Sequence, residues 1–277
     1  MKPLSAKEVE AFKKFEREGF SRVAHRYDQG PATITAQVND AILDALQLGP
    51  GMSLLDIACG PGWLTAAAVK RGAIATAVDF AENMVAIARQ RCPTADVQNA
   101  DAENLPFDGS CFDAVACNLG ILHLPDPERA IAEAHRVLKP GGSYAFTCWT
   151  PPTRNPFFGL VLGSVQKHGN MNVNLPAGPP LFRFGEATEC ETVLRATGFR
   201  SVSITELPMV WPFATPRDIV PKVIASTARI GSILAMQTPE QRENIENAIA
   251  EGARKYVTAQ GVEVPMAVLL AVGHKAD

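Results

Sequence analysis

One stretch limits the folds open to this chain more than any other: Leu54-Leu55-Asp56-Ile57-Ala58-Cys59-Gly60-Pro61-Gly62-Trp63-Leu64-Thr65. An apolar run ends in an acid, small residues and two glycines follow, and Trp63 to Val69 reads as the start of a helix. This is a strand, a tight loop and a helix. Glycines at 60 and 62 let the loop turn sharply and bring backbone N–H groups close to a ligand. A second apolar run, Ile74 to Asp79, also ends in an acid, seventeen residues after Gly62. Further along, strands over Asp96–Asn99, Phe112–Asn118 and Gly142–Cys148 alternate with helices over Trp63–Lys70, Glu82–Gln90 and Pro127–Leu138. Such alternation predicts an α/β fold: a doubly wound, mostly parallel sheet with helices on both faces and ligands at the carboxyl ends of the strands.

Two cofactor classes use a loop of this kind. A nicotinamide-binding loop would carry a third glycine where Thr65 stands, and would place a pyrophosphate at the helix N-terminus. Asp56 puts negative charge where that dianion would lie, which Coulomb's law disfavours. S-adenosyl-L-methionine has no phosphate, and an acid at the loop suits its ammonium. An ordinary turn with no ligand is the bland alternative, and Asp79 argues against it. At the tip of the second strand Asp79 can accept hydrogen bonds from both ribose hydroxyls. As a purely structural residue it would cap the helix that begins near Glu82.

The residues Asp56-x-Ala-x-Gly60-x-Gly62, Asp79, Asn99-Ala-Asp101-Ala-Glu103-x-Leu-Pro106-Phe107, Phe112-Asp113-Ala-Val and Arg136-Val-Leu-Lys-Pro140-Gly-Gly142 resemble the class I S-adenosylmethionine-dependent methyltransferases. The branch is that of ubiquinone/menaquinone biosynthesis and its small-molecule relatives. The resemblance is clearest from Leu54 to Thr147 and continues more loosely through Phe182–Phe199 into the last strand. It implies a Rossmann-like sheet of seven strands, with the last one antiparallel, and helical cap segments. It also implies that Asp101 accepts from the adenine amino group and that the Ala102 N–H donates to the ring. Asp113 and Pro140-Gly141-Gly142 read as structural. The expected cofactor site is completed by Tyr27, Ala58, Cys59, Phe80, Met84, Asn118 and Leu119. Two positions depart from the family pattern. Ala58 stands where glycine is usual, so the loop is expected to sit differently, because alanine prefers negative φ. Leu122-His123 stands where many relatives have two histidines.

The chain is read as one methyltransferase domain over 1–277, with an N-terminal helical lid over 1–30 and cap insertions over 150–184 and 212–260. Ser5 to Gly19 is an amphipathic helix with Val9, Phe12 and Phe15 on one face, continued in helical or turn form to Tyr27. Pro151 to Pro180 carries six prolines and few charges, a long irregular insertion of the kind that is usually functional. Ser201 to Leu207 reads as the sixth strand and Val264 to Val272 as the last. The expected acceptor-binding residues are Phe20, His25, Trp149, Phe157 and Phe182, within a wider apolar set of Tyr27, Phe158, Trp211, Phe213, Ile224, Ile230 and Met236. Such a wall suits a small, flat, largely apolar acceptor. His123, just after the fourth strand, is the candidate general base. The reading preferred from the sequence is that it packs the Leu119–Leu124 turn, because the family motif there is positional.

Composition narrows the remaining classes. A net charge of −3 leaves no electrostatic footprint for nucleic acid, and Asn118-Leu119-Gly120-Ile121 lacks the Pro-Pro-aromatic run of exocyclic-amine methylases. The six cysteines are scattered without a Cys-x-x-Cys, so no metal site is expected and a reducing cytoplasm is the simplest location. No signal peptide and no membrane span are expected. A nicotinamide-dependent oxidoreductase and a noncatalytic cofactor-binding module are the alternatives from other classes.

Overall fold

The computed structural model describes residues 4–277; residues 1–3 of the expected 1–30 lid lie outside the described residues. Helices α1 (Ala6–Asp28), α2 (Pro31–Thr35) and α3 (Asn39–Ala45) precede the sheet. The alternating core then runs β1 (Ser53–Ile57), α4 (Trp63–Lys70), β2 (Ile74–Asp79), α5 (Glu82–Arg91), β3 (Asp96–Asn99), β4 (Phe112–Cys117), α6 (Pro127–Val137) and β5 (Leu138–Trp149). After it come α7 (Pro156–His168), α8 (Ala187–Ala196), β6 (Arg200–Phe213), α9 (Ile219–Ser226), α10 (Arg229–Ala235), α11 (Pro239–Ala253), β7 (Val257–Thr258) and β8 (Gly261–His274).

The sheet order is β3-β2-β1-β4-β5-β8-β6. The first five strands are parallel, and β8 runs antiparallel to both neighbours. The expected Rossmann-like sheet is therefore present, with one addition: β7 pairs with β8 as a two-residue hairpin arm, making eight strands rather than seven. An arm that short has no hydrophobic period to read. The strand order reverses between β1 and β4, so their carboxyl ends flank the crevice where such sheets bind ligands.

Both faces of the sheet are covered, which is why Leu54, Leu55 and Ile57 are all buried in one short strand. Leu54, Ala114, Ala116 and Ala145 pack with Ile42, Leu43, Leu64 and Ala68 of α3 and α4. Leu55, Ile57, Val115, Tyr144 and Phe146 pack with Ile131, Ala134 and Leu194 of α6 and α8. Asp113 is structural, as expected. Lys139 and Ser53 hydrogen-bond its carboxylate and hold its pKa down at about 2, although burial works the other way.

Five elements differ from the sequence expectation. Helix α1 runs unbroken through Gly19; a Cβ there would come 3.0 Å from the Ala228 Cβ, so the glycine serves close helix packing rather than a helix end. The insertion after Trp149 holds a helix, α7, capped by Asn155 with Pro156 in its first turn; Phe157, Phe158, Val161 and Val165 form its buried face. Strands β6 and β8 are longer than the periodicity suggested, and β6 runs on through Pro208 and Pro212. As an edge strand paired only to β8, it tolerates residues without an N–H. β5 starts at Leu138, with a register shift against β4 between Leu138 and Ser143.

Candidate active site

The loop after β1 is built around two buried acids. Asp56 is 1% exposed, and Thr65 Oγ1 donates to its carboxylate at 2.6 Å. The residue that replaces the third glycine thus holds the acid in place. Burial pushes Asp56 up to about 7; the Thr65 hydrogen bond opposes the shift and the neighbouring Asp79 adds to it. Asp79, at the tip of β2, accepts from Gly60 N at 2.9 Å and Ala81 N at 2.8 Å. Its pKa is also raised by burial, against these hydrogen bonds and the attraction of His123. Ala81, not Asp79, is the N-cap of α5, so the capping role does not account for Asp79.

The two glycines divide the work. A Cβ at Gly60 would meet nothing within 4 Å, so open space adjoins the backbone there. A Cβ at Gly62 would lie 3.1 Å from the Ala88 Cβ, so Gly62 admits α5 rather than a ligand. Ala58 does not keep the negative φ that alanine prefers. It takes φ +53 itself, and Leu119 across the crevice takes φ +54. A non-glycine residue in the left-handed region costs about 1–2 kcal/mol, and such strain clusters at functional sites. Ala58→Gly should therefore raise the unfolding free energy by ~1 kcal/mol, read from urea denaturation. A loss of stability would show that alanine's methyl contributes more by packing than it costs in strain.

Three adjoining cavities open at the carboxyl edge. The first is walled by Ala58, Asp79, Phe80, Asp101, Ala102 and His123. The second is walled by Tyr27, Asp56, Cys59, Gly60, Trp63 and Asn118. The third is an apolar chamber between Phe20, Leu119, Trp149, Phe157, Trp211 and Ile230. Ala58 is shared by the first two, Tyr27 and Thr35 by the second and third, and His123 by the first and third.

Most of the residues expected from sequence therefore meet in one place, and a few do not. Met84 is buried beneath α1 with Ala24, Ala81 and Ile87. Phe182 stacks edge-on against Phe158, 5.0 Å between centroids, behind the chamber wall. His25 is exposed on α1, and Met236 is 52% exposed, so neither belongs to a wall. Asn118 lines the second cavity, but its side chain is committed to the protein. It donates to Thr35 O and Asn39 Oδ1 and accepts from Thr147. Tyr27 stays protonated: burial and the nearby Asp79 push its phenol up to about 12.

Several residues that the sequence reading did not single out complete the lid. Trp63 Nε1 donates to Asp28 at 2.8 Å, and Arg91 pairs with the same carboxylate while lying over the Trp63 ring. This fastens the end of α1 to the glycine loop. Lys13 reaches Asp101 at 2.7 Å and also pairs with Glu103, so the acid expected to accept from adenine is engaged by the lid. Glu16, one turn further on, is 1% exposed, and its Oε2 lies 2.9 Å from His123 Nδ1. Among the described residues no His, Cys, Asp or Glu cluster could hold a metal, and no helix is long and apolar enough to cross a membrane.

The residues present fit S-adenosylmethionine. Asp79 has acceptor capacity left for ribose hydroxyls, since a carboxylate offers about four lone-pair sites. Asp56 is a buried acid without a cation partner among the described residues, as an ammonium site requires, and it would repel a pyrophosphate. Gly60 leaves the backbone open to a close ligand.

Comparisons with known proteins agree with the resemblance read from the sequence. Residues 55–146 match the family model described as a methyltransferase domain. A demethylmenaquinone methyltransferase of Renibacterium salmoninarum is 33% identical over 142 residues, covering 50% of this chain and 60% of its own. A ubiquinone/menaquinone biosynthesis C-methyltransferase of Cereibacter sphaeroides is 38% identical over 135 residues, 44% of this chain and 54% of its own. The chain thus spans a little over half the length of these curated relatives. A crystal structure of a putative methyltransferase from Bacillus halodurans superposes with a TM-score of 0.56 at 19% identity, covering 87% of this chain and all of that one, and shows the shared fold.

Proposed function

We propose that this chain, whose residues 55–146 match the methyltransferase-domain model, is a class I methyltransferase that methylates a small acceptor with an apolar, ring-shaped body. A quinone precursor or a secondary-metabolite intermediate is the kind of molecule meant. The observation that carries this reading is the adjacency of the cavities: the acid-lined clefts at the switch point share the walls formed by Tyr27, Thr35 and His123 with an apolar chamber. S-adenosylmethionine supplies an already activated methyl group, so the protein's task is chiefly to align a nucleophile and exclude water. Asp79 would hold the ribose, Asp56 the ammonium, and Asp101 with the Ala102 N–H the adenine. The segments proposed as lid and caps, 1–30, 150–184 and 212–260, would set acceptor choice. Free thiols at all six cysteines, five of them buried, suit the proposed cytoplasmic location.

One polar feature of the chamber speaks to the acceptor. Trp211 is 3% exposed on the wall, and its Nε1–H has no partner among the described residues. An unsatisfied buried donor costs about 1–3 kcal/mol, which an acceptor oxygen would relieve. The test is calorimetry with S-adenosylhomocysteine and NADH, followed by turnover with a panel of phenols and hydroquinones. The expected result is binding of the first ligand only, and methylation within the panel. NADH binding would favour the oxidoreductase instead, and S-adenosylhomocysteine binding without any turnover would favour the binding module. Trp211→Phe should raise KM for an oxygen-bearing acceptor about fivefold, the scale of one neutral hydrogen bond, with cofactor affinity unchanged.

A further inference from the structure

Glu16 is out of place for a residue that only helps α1 pack. Phe12, Glu16, Gly19 and Val23 form the buried stripe of that helix, where a helical period calls for an apolar side chain. A buried carboxylate is costly unless it is paired and hydrogen-bonded. The nearest lysine on the helix, Lys13, is spent on Asp101 and Glu103. Glu16 instead meets His123 Nδ1 at 2.9 Å, and its other oxygen, Oε1, is buried with no partner among the described residues. Phe20, one turn on, stands edge-on to the imidazole, 4.7 Å between centroids at 84°. Two contacts from the lid therefore fix the ring. His123 lines both the adenosine-side cavity and the acceptor chamber, and Nε2 has no hydrogen-bond partner among the described residues.

We propose that Glu16 is the positioning residue of a carboxylate–imidazole pair in which His123 Nε2 takes a proton from an acceptor hydroxyl. This rests on the methyltransferase reading and narrows its substrate class to phenols and hydroquinones. The hydrogen bond to one ring nitrogen decides which tautomer the other presents. With Nδ1–H donated to Glu16, Nε2 keeps its lone pair. A phenolic hydroxyl has a pKa near 10 and is a weak nucleophile at neutral pH. Its O–H bond breaks, the electron pair stays on the acceptor and is available for attack on the methyl carbon, and an N–H bond forms at Nε2. The imidazolium then lies against the Glu16 carboxylate, and its proton returns to solvent after product leaves. A histidine that merely packed the Leu119–Leu124 turn would need neither a buried acid nor an open Nε2.

The test has two parts. Nitrogen-15 NMR of the S-adenosylhomocysteine complex should show His123 as the Nδ1–H tautomer, and Glu16→Leu should abolish that preference. A ring carrying its proton on Nε2 in the wild type overturns the proposal without any assay of turnover. Failure of S-adenosylhomocysteine to bind would overturn the methyltransferase reading instead. In the second part, 1,4-naphthohydroquinone, catechol and their ring-substituted analogues are the acceptor probes. His123→Gln should lower kcat about 10²–10⁴-fold, with KM and S-adenosylhomocysteine affinity within about twofold as the check on folding. Glu16→Gln should lower kcat less, and Glu16→Asp should recover part of the loss. Full kcat in His123→Gln, or no turnover of any hydroxylated probe by a wild type that binds S-adenosylhomocysteine, would show that no such base operates.

Discussion

Replacing Asp79 with alanine is expected to weaken S-adenosylhomocysteine binding by about 1.5–3 kcal/mol, roughly ten- to hundredfold, the scale of hydrogen bonds to a charged group. Two contributions enter that number and can be separated. The carboxylate accepts from Gly60 N and Ala81 N, so its removal also frees the loop. Asp79→Asn keeps one acceptor oxygen for that backbone while losing the charge and half of the capacity for ribose. If ribose contacts dominate, both variants should bind weakly and melt near the wild type. If loop order dominates, Asn, which keeps one of the two backbone hydrogen bonds, should bind between the wild type and Ala. Unchanged affinity in a folded Asp79→Ala protein would remove the ribose assignment altogether. Burial raises the pKa of Asp79, so neither substitution is expected to destabilise the ligand-free fold strongly.

What could be read from the sequence follows the range of the interactions involved. The span from β1 to β5 and the acids at its strand ends were legible because each signal is local: an apolar run, a turn residue, a carboxylate at a strand tip. The proline-bearing ends of β6 were not, because Pro208 reads as a strand breaker until the strand is known to lie at an edge. The chamber was legible only as a set of apolar residues. Phe20, Trp149, Phe157, Trp211 and Ile230 do meet on its wall, whereas exposed Met236 and His25 do not. No local pattern tells which side of a cap helix faces the methyl group. Glu16 is the instructive omission. Its position four residues after Phe12 and seven before Val23 put an acid inside an apolar stripe, and that signal was present from the start. A charge on an amphipathic helix is normally assigned to the solvent side, which is what hides it. Ala58 teaches the converse: its preference for negative φ was real, but the loop geometry prevailed over a cost of about 1–2 kcal/mol.

Cofactor affinity should depend on pH through Asp56, and the direction follows from its surroundings. In the ligand-free protein burial holds this carboxyl at about 7, against the Thr65 hydrogen bond and with a further push from Asp79. Cys59, Cys117 and Tyr27, which face the same region, are all pushed upward by burial and carry no charge near neutrality. An ammonium beside Asp56 favours the ionised form, so binding below pH 7 must expel a proton. The affinity for S-adenosylhomocysteine should therefore fall by about tenfold for each pH unit below 7 and level off above it. Calorimetry at pH 6 in two buffers of different ionisation enthalpy should report release of close to one proton. Folding stability moves with the opposite sign. A folded pKa raised above the unfolded value of about 3.9 gives a contribution that is full below pH 4 and is lost as pH rises through 7. The ligand-free protein should thus weaken between about pH 4 and pH 7 and level off above, by at most ~4 kcal/mol in all for a three-unit shift, and bound ligand should offset much of that loss. Asp56→Asn isolates the group: it should bind weakly at every pH, show no proton release, and flatten the ligand-free stability profile. Proton release that persists in Asp56→Asn would move the ammonium to another acid, with Asp79 the first candidate.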